Sequence, residues 1–392
     1  MLPLEGTLVV GLEQAVSAPF ASRQLADLGA RVIKIERPDG GDFARRYDTT
    51  VRGLSSHFVW LNRSKESLTL DVKQPPAATV LDRLLARADV FIQNLAPGAS
   101  GRLGLDAPTL RRRYPRLVIC DISGYGDSGP WRERKAYDLL IQSEAGLLSI
   151  TGTPDTPSKV GISIADIAAG MYAYSGILAA LLQRARTGEG TILDVSMLES
   201  LGEWMSYALY YTRYGGTSLP RTGASHAAIA PYGPFPCGDG GSVYLGIQNE
   251  REWERFCREV IERPDLVTDE RFASNAARVR HRLALEAAIV EAFAHHPTPV
   301  VLERLARADI ATARMNTVDE FRAHPQLEAR RRWREVASPV GPIDALLPPA
   351  TPGSAAPRMD AVPSLGEHTH AVLRELGFGD DDIRRWHDTG VI

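Results

Sequence analysis

Thr7-Leu-Val-Val-Gly-Leu12 is a short apolar run, followed by a helix-forming stretch over 18–28 that Gly29 stops and then by Arg31-Val-Ile-Lys-Ile-Glu36, closed by Pro38 and Gly40. Strand, helix and strand at this spacing make one βαβ unit, which demands a right-handed crossover and a parallel sheet. The pattern repeats outward. Strand-like runs at 68–72, 90–93 and 117–122 alternate with helical stretches at 77–88 and 107–114. The fold class is therefore α/β, a Rossmann-like parallel sheet with helices on both faces.

Beyond 122, a long small-residue helix is expected at 164–185, a strand at 192–195 and a helix at 199–214. After Gly215-Gly216, a second set of elements follows: a strand at 242–245 and helices at 250–261, 278–293 and 300–308. This predicts a large domain over 1–219 and a smaller α+β domain over 220–320. Residues 321–392 then supply a linker, rich in Pro, Ala and Gly over 339–363, and a C-terminal segment that returns to the large domain.

The chain has 392 residues and 44% hydrophobic content, enough for two substantial cores. Its net charge is 45 − 48 = −3, so no global basic field invites nucleic acid. The cysteines Cys120, Cys237 and Cys257 are far apart and lack metal-ligand spacing, so neither a disulfide framework nor a bound metal is expected, and a cytoplasmic location is. The N-terminus carries no basic leader before an apolar run, so a secretory signal is not expected. The apolar run from 164 contains Asp166 and many Ala and Gly residues, which suits a tightly packed buried helix, not a membrane span.

The first βα turn, Leu12-Glu-Gln-Ala-Val-Ser-Ala-Pro19, has no GxGxxG and no P-loop lysine. Bulky side chains there block the backbone approach that a dinucleotide pyrophosphate needs, which excludes a nicotinamide or flavin site of that kind. Ser163-Ile-Ala-Asp166 opens the long helix: Ser163 can cap it, leaving Asp166 either a capping carboxylate or a poised one. Ser123-Gly-Tyr-Gly-Asp-Ser-Gly-Pro130 forms a loop at the end of a strand, either a plain surface turn or part of a ligand crevice. Basic residues at Arg37, Lys65, Arg102 and Lys135 suit a phosphate-bearing ligand or a solvated surface equally.

Taken in order, several segments resemble the family III CoA transferases, also called the CaiB/BaiF or formyl-CoA transferase family. They are Gln24-Leu-Ala-Asp-Leu-Gly-Ala-Arg-Val-Ile-Lys-Ile-Glu-Arg-Pro38, Asn62-Arg-Ser-Lys-Glu-Ser-Leu-Thr-Leu-Asp71, Ala88-Asp-Val-Phe-Ile-Gln-Asn-Leu-Ala-Pro-Gly98, Ile122-Ser-Gly-Tyr-Gly126, the Asp166 segment, Thr187-Gly-Glu-Gly190, Asp194-Val-Ser-Met197 and Leu365-Gly-Glu-His-Thr369. The resemblance implies an interlocked homodimer and a covalent role for Asp166, as a nucleophile that carries first an acyl group and then CoA. It implies CoA contacts at Arg37, Asn94, Arg102, Lys135 and Met197. Gln14, Gly124, Gly126, Tyr137 and Asp138 fall in the active-site neighbourhood, with backbone N–H groups near the small residues after Asp166, or near Gly124 and Gly126, as candidate oxyanion donors. His226, in the loop Gly223-Ala-Ser-His-Ala-Ala-Ile-Ala-Pro-Tyr232, is read either as a contact to the acceptor acid or as a structural histidine.

No permanently bound cofactor is implied; coenzyme A is a co-substrate, and acyl-CoA and small carboxylic acids are the expected partners. Val16 stands where the formyl-CoA:oxalate enzymes carry glutamine, which points away from oxalate and formate. Tyr137 stands where the related 2-methylacyl-CoA racemases carry histidine, and a phenol is a poor base at neutral pH. The overall pattern is similar to the dicarboxylate branch, which handles mesaconate, citramalate, malate and hydroxymethylglutarate. A racemase and a non-catalytic CoA-binding protein are the alternatives.

Overall fold

The computed structural model describes residues 1–392 except 351, 352 and 354. Two compact units emerge. The first comprises 1–145, 160–206 and 328–392; the second comprises 146–159 and 207–327. The second unit thus begins earlier than the sequence boundary at 219 and also takes a short segment from inside the expected large domain.

The first unit is built on six parallel strands: β1 (Leu8–Leu12), β2 (Arg31–Glu36), β3 (Lys65–Thr69), β4 (Val90–Gln93), β5 (Val118–Ser123) and β6 (Ile192–Ser196). Their order is β3-β2-β1-β4-β5-β6, the doubly wound arrangement, with β1 paired to both β2 and β4. The direction of winding reverses between β1 and β4, so a crevice opens beyond their C-terminal ends. Strand β3 starts at Lys65, three residues earlier than the apolar pattern at 68–72 suggests. Its polar residues Lys65 and Ser67 are buried and paired, so hydrophobicity did not mark them.

One face of the sheet closes with the C-terminal segment. Val372, Leu373, Leu376, Phe378, Ile383, Trp386, Val391 and Ile392 pack in one cluster with Val10, Ile33, Leu68 and Leu81. The backbone N–H of Asp71 donates to the carbonyl of Val391 at 2.7 Å, and Thr69 is hydrogen-bonded to Thr369. The expected return of the chain is present. The expected linker is more structured than its composition suggests: an antiparallel hairpin of β10 (Trp333–Val336) and β11 (Ile343–Leu346) occupies part of it, while positions 351, 352 and 354 lie outside the described residues.

On the other face, the helix Ser17–Asp27 (the Ser17 helix) crosses the helix Ile164–Thr187 (the Asp166 helix). Small residues on the Asp166 helix permit this: Ala165, Ala168, Ala169, Gly170 and Ala173 are buried. A β-carbon at Gly170 would lie 2.7 Å from the Ser17 carbonyl oxygen and 2.9 Å from Phe20, so only glycine admits the approach. The Asp166 helix is packed on one side only, however. Met171, Tyr172 and Leu182 are exposed, a departure from the fully packed helix expected, because only the small-residue face meets the core. It is the one helix among the described residues long and apolar enough to span a bilayer. The helix expected at 199–214 is two, Met197–Trp204 and Ser206–Gly215.

The second unit holds the three-stranded sheet β7 (Tyr232–Pro236), β8 (Ser242–Gly246) and β9 (Ala311–Ala313), antiparallel throughout. Its core gathers Phe235, Trp253, Phe256, Phe272 and Phe293. The helix expected at 250–261 is α-helical over Glu250–Arg255 and passes into a π-helical turn, Phe256–Val260.

Candidate active site

At the winding reversal, residues 13–17 link β1 to the Ser17 helix, and side chains hold four consecutive backbone polar groups of the turn, from the Glu13 carbonyl to the Ala15 N–H. The Gln14 N–H donates to Asn94 Oδ1 and the Asn94 amide donates to the Gln14 carbonyl, both at 2.8 Å. Asn94 also donates to Ser17 Oγ at 3.2 Å. The Ala15 N–H donates to Asp42 Oδ1 at 2.9 Å, and Ala15 sits in the left-handed region, φ 61°. Lys34 Nζ reaches Asp42 Oδ2 at 2.7 Å and the Glu13 carbonyl at 3.2 Å. Beneath the turn, Glu13 accepts from Lys65 Nζ at 2.7 Å and from the Ser22 hydroxyl at 2.6 Å.

Glu13, Lys34, Asp42 and Lys65 are all buried. Burial alone would push the Glu13 carboxyl up, but Lys65 and Lys34 hold it down at about 2. Lys65 is therefore part of this foundation and not the phosphate-facing cation the sequence allowed. Its head group is taken by Glu13, the Pro19 carbonyl and Asn62.

Asp166 faces this turn across the helix crossing. The Ser17 helix has no capping side chain at Val16, and the Ser17 N–H and hydroxyl act on the Asp166 carboxylate. They only partly offset what surrounds it. Burial first, then the neighbouring Asp138 charge, raise the Asp166 carboxyl from 3.8 to about 7. Tyr47 lies within electrostatic reach of both Asp166 and Tyr137, and its phenol is pushed up by burial and by the carboxylates of Asp42 and Asp166.

The expected cap of the Asp166 helix is corrected here. Ser163 makes no capping hydrogen bond, its backbone lying at φ −74°, ψ 68°, outside the extended geometry that aims a capping hydroxyl. Asp138 does that work from another part of the chain. Its Oδ1 accepts from the Ala165 N–H at 2.8 Å and its Oδ2 from Gln142 at 2.7 Å. Asp138 thereby takes the place expected of the Ser163 hydroxyl.

The remaining candidates are distributed as follows. Gln14 Oε1 accepts from the Phe43 N–H at 3.2 Å. Gly124 lets the Ala136 segment close against it, since a β-carbon there would collide with the Ala136 methyl. The Gly126 N–H donates to Ser123 Oγ at 2.9 Å within its own loop. Arg37 closes its own loop onto the Gly41 carbonyl and stacks over Phe43. Arg102 and Lys135 are exposed, while Met197 is buried at the start of the helix after β6. Asn94, expected at CoA, has its amide engaged by the turn. His226 belongs to the second unit, where its ring stacks on Tyr232 and its Nδ1 accepts from the Ala228 N–H. Among the described residues no cluster suited to a metal ion occurs.

Sequence reasoning missed Ser17, Asp42, Lys34 and Tyr47. Lys34 did carry a signal: a lysine flanked by Ile33 and Ile35 in a strand covered on both faces must be buried and paired.

A doubly wound sheet lacking a dinucleotide turn, with a carboxyl poised near neutrality at its winding reversal, suits an enzyme of acyl and CoA transfer. The chain belongs to CoA-transferase family III, whose model matches residues 4–369. Succinyl-CoA:glutarate CoA-transferase of Mus musculus is 32% identical over 398 residues, spanning all of this chain and 91% of that protein. Acetyl-CoA:oxalate CoA-transferase of Acetobacter aceti is 35% identical over 330 residues, 84% of each chain. The crystal structure of a CAIB/BAIF family protein from Brucella suis superposes with a TM-score of 0.82 at 34% identity, covering 96% of this chain and 99% of that one. The chain is thus a CoA-transferase, with CoA as a substrate.

Proposed function

We propose that this enzyme moves CoA from a succinyl-CoA-like donor to a small dicarboxylate through two covalent states of Asp166. The observation that carries the reading is the setting of that carboxyl: beside the Asp138 charge at the first turn of its helix, faced by the Ser17 N–H and hydroxyl, and raised to about 7. A carboxylate of raised basicity is a better nucleophile once ionised, and partial burial protects an anhydride from water.

An Asp166 oxygen attacks the thioester carbonyl carbon. The C–S bond breaks, CoA departs as thiolate, and a mixed anhydride remains. The thiolate then attacks the Asp166 carbonyl carbon, expelling the donor acid as its carboxylate and leaving an aspartyl-CoA thioester. The acceptor carboxylate attacks that thioester, CoA leaves again as thiolate, and its attack on the acceptor carbonyl releases the new acyl-CoA and the free Asp166 carboxylate. No net proton is consumed. The Ser17 N–H, which favours the Asp166 carboxylate, is the donor we assign to the oxyanion formed there. Arg102 and Lys135 supply positive charge to the CoA phosphates, Arg37 lies near the adenosine portion, and Met197 is a further CoA contact.

The glutarate activity named for the mouse relative supports a dicarboxylate acceptor, and glutarate joins mesaconate, citramalate, malate and hydroxymethylglutarate as candidates. The oxalate activity named for the Acetobacter relative keeps oxalate in the panel despite Val16. Exposed Met171, Tyr172, Leu182 and Trp204 support association with a second copy, as an interlocked homodimer. The test is a mass-spectrometric screen of acyl-CoA donors against these acids, run beside hydroxylamine trapping. Product acyl-CoA and a hydroxamate at Asp166 are expected; an unmodified Asp166 after turnover rules out the covalent route.

A further inference from the structure

Between the Glu13 carbonyl and the Ala15 N–H, no backbone polar group of the turn is satisfied by another backbone group. Lys34 holds the Glu13 carbonyl, Asn94 holds both groups of Gln14, and Asp42 holds the Ala15 N–H. Asp42 also accepts from Ala44, at 2.9 Å, so one carboxylate joins the turn to the loop that leads to Tyr47. Ala15 occupies the left-handed region, which is strained for a residue with a β-carbon and persists only where the surroundings impose it. Two residues later the chain presents Ser17 to Asp166. A turn released at Ala15 would relax toward right-handed backbone and swing Ser17 away from the carboxyl.

We propose that Asp42, buried and anchored by Lys34, is a positioning residue for CoA transfer: its hydrogen bond to the Ala15 N–H holds the strained turn that aims Ser17 at Asp166. This rests on Asp166 being the nucleophile. The device is the accepting oxygen, not the charge. The ion pair keeps that oxygen in place inside the protein, where a lone carboxylate would be unstable.

The two roles separate in a pair of variants that both remove the Asp42 charge and leave Lys34 on the Glu13 carbonyl and carboxylate. Asp42→Asn keeps an acceptor for the Ala15 N–H; Asp42→Leu removes it. Each is measured as the full-length enzyme for kcat, KM for acyl-CoA, the pH profile and the rate of hydroxylamine trapping at Asp166. The asparagine form is expected to transfer within about fivefold of the parent. The leucine form is expected to lose about 10–100-fold in kcat with KM changed less than about threefold. Its acid limb should move to higher pH, because the Ser17 groups that favour the ionised Asp166 have turned away, leaving Asp138 and Tyr47 as before. A leucine form with the kcat and pH limb of the asparagine form overturns the proposal. So does an asparagine form that loses more than tenfold, a result readable even if the leucine form fails to fold. Absence of trapping at Asp166 in the parent enzyme would instead defeat the nucleophile reading itself.

Discussion

Glu13 and Asp166 are two carboxyls withdrawn from water in the same unit of the molecule, a short distance apart along one turn and one helix crossing, and they are driven in opposite directions. Glu13 is ringed by Lys34, Lys65 and Ser22 and held at about 2. Asp166 has a like charge, Asp138, for a neighbour and is raised to about 7. Desolvation opposes ionisation in both. What differs is whether a cation stands within reach. The first arrangement fixes a charge permanently as part of the scaffold; the second leaves a carboxyl that is costly to ionise and reactive once it is.

The contrast can be broken at either end. Asp166→Ala is expected to lower transfer by at least about 10³–10⁴-fold with the fold retained, read by steady-state kinetics beside circular dichroism. Glu13→Gln removes the negative charge that Lys65 and Lys34 share, leaving buried Lys65 with neutral acceptors only. It is expected to cost about 3–5 kcal/mol, seen as a lower denaturant midpoint and a loss of soluble enzyme.

Acidity sharpens the comparison. With Asp166 at about 7, kcat/KM should fall tenfold per unit as pH drops below that value, since only the ionised carboxyl attacks. Asp138→Asn keeps an oxygen for the Ala165 N–H but removes the like charge, so the limb should shift to lower pH; an unmoved limb would mean that Asp138 does not set it. The stability signs are opposite too. Glu13, depressed, contributes stability present above its unfolded pKa and lost as pH falls toward about 2. Asp166, raised, lets the native state hold an extra proton between about 4 and 7, so its contribution declines as pH rises through that window. Asp166→Asn should therefore melt a few degrees above the parent at pH 8 and near it at pH 5, as scanning calorimetry would show.

The sheet was legible because strands covered on both faces read as apolar runs. Those at 7–12, 31–36, 90–93 and 117–122 fall on β1, β2, β4 and β5 within a residue or two. Strand β3 slipped because Lys65 and Ser67 are buried through partners, Glu13 and Glu36, that lie far away in sequence. The same reason hid the scaffold of the site. Asp166 stood out by its place in a family pattern, whereas its raised basicity depends on burial and on Asp138, 28 residues earlier, which also accepts from the first turn of its helix. Local spacing favoured Ser163 as the cap because it cannot register a carboxylate arriving from another helix. The Gly126 N–H turns onto Ser123, only three residues away, a contact that a glycine-rich loop does not announce.

The seam between Asp71 and Val391 has a consequence for how the protein is made. The two residues joined by that hydrogen bond are 320 positions apart, and the hydrophobic cluster under the sheet needs Leu376, Trp386 and Ile392 to fill it. At a synthesis rate of about 5–20 residues per second, the first strands wait roughly 15–60 s for the side chains that cover them. The second unit, whose core lies within 207–327 apart from a short earlier segment, is finished on the ribosome while the catalytic sheet still has an open face. A nascent chain of this kind has a long interval in which chaperones and unwanted partners compete for the same apolar surface.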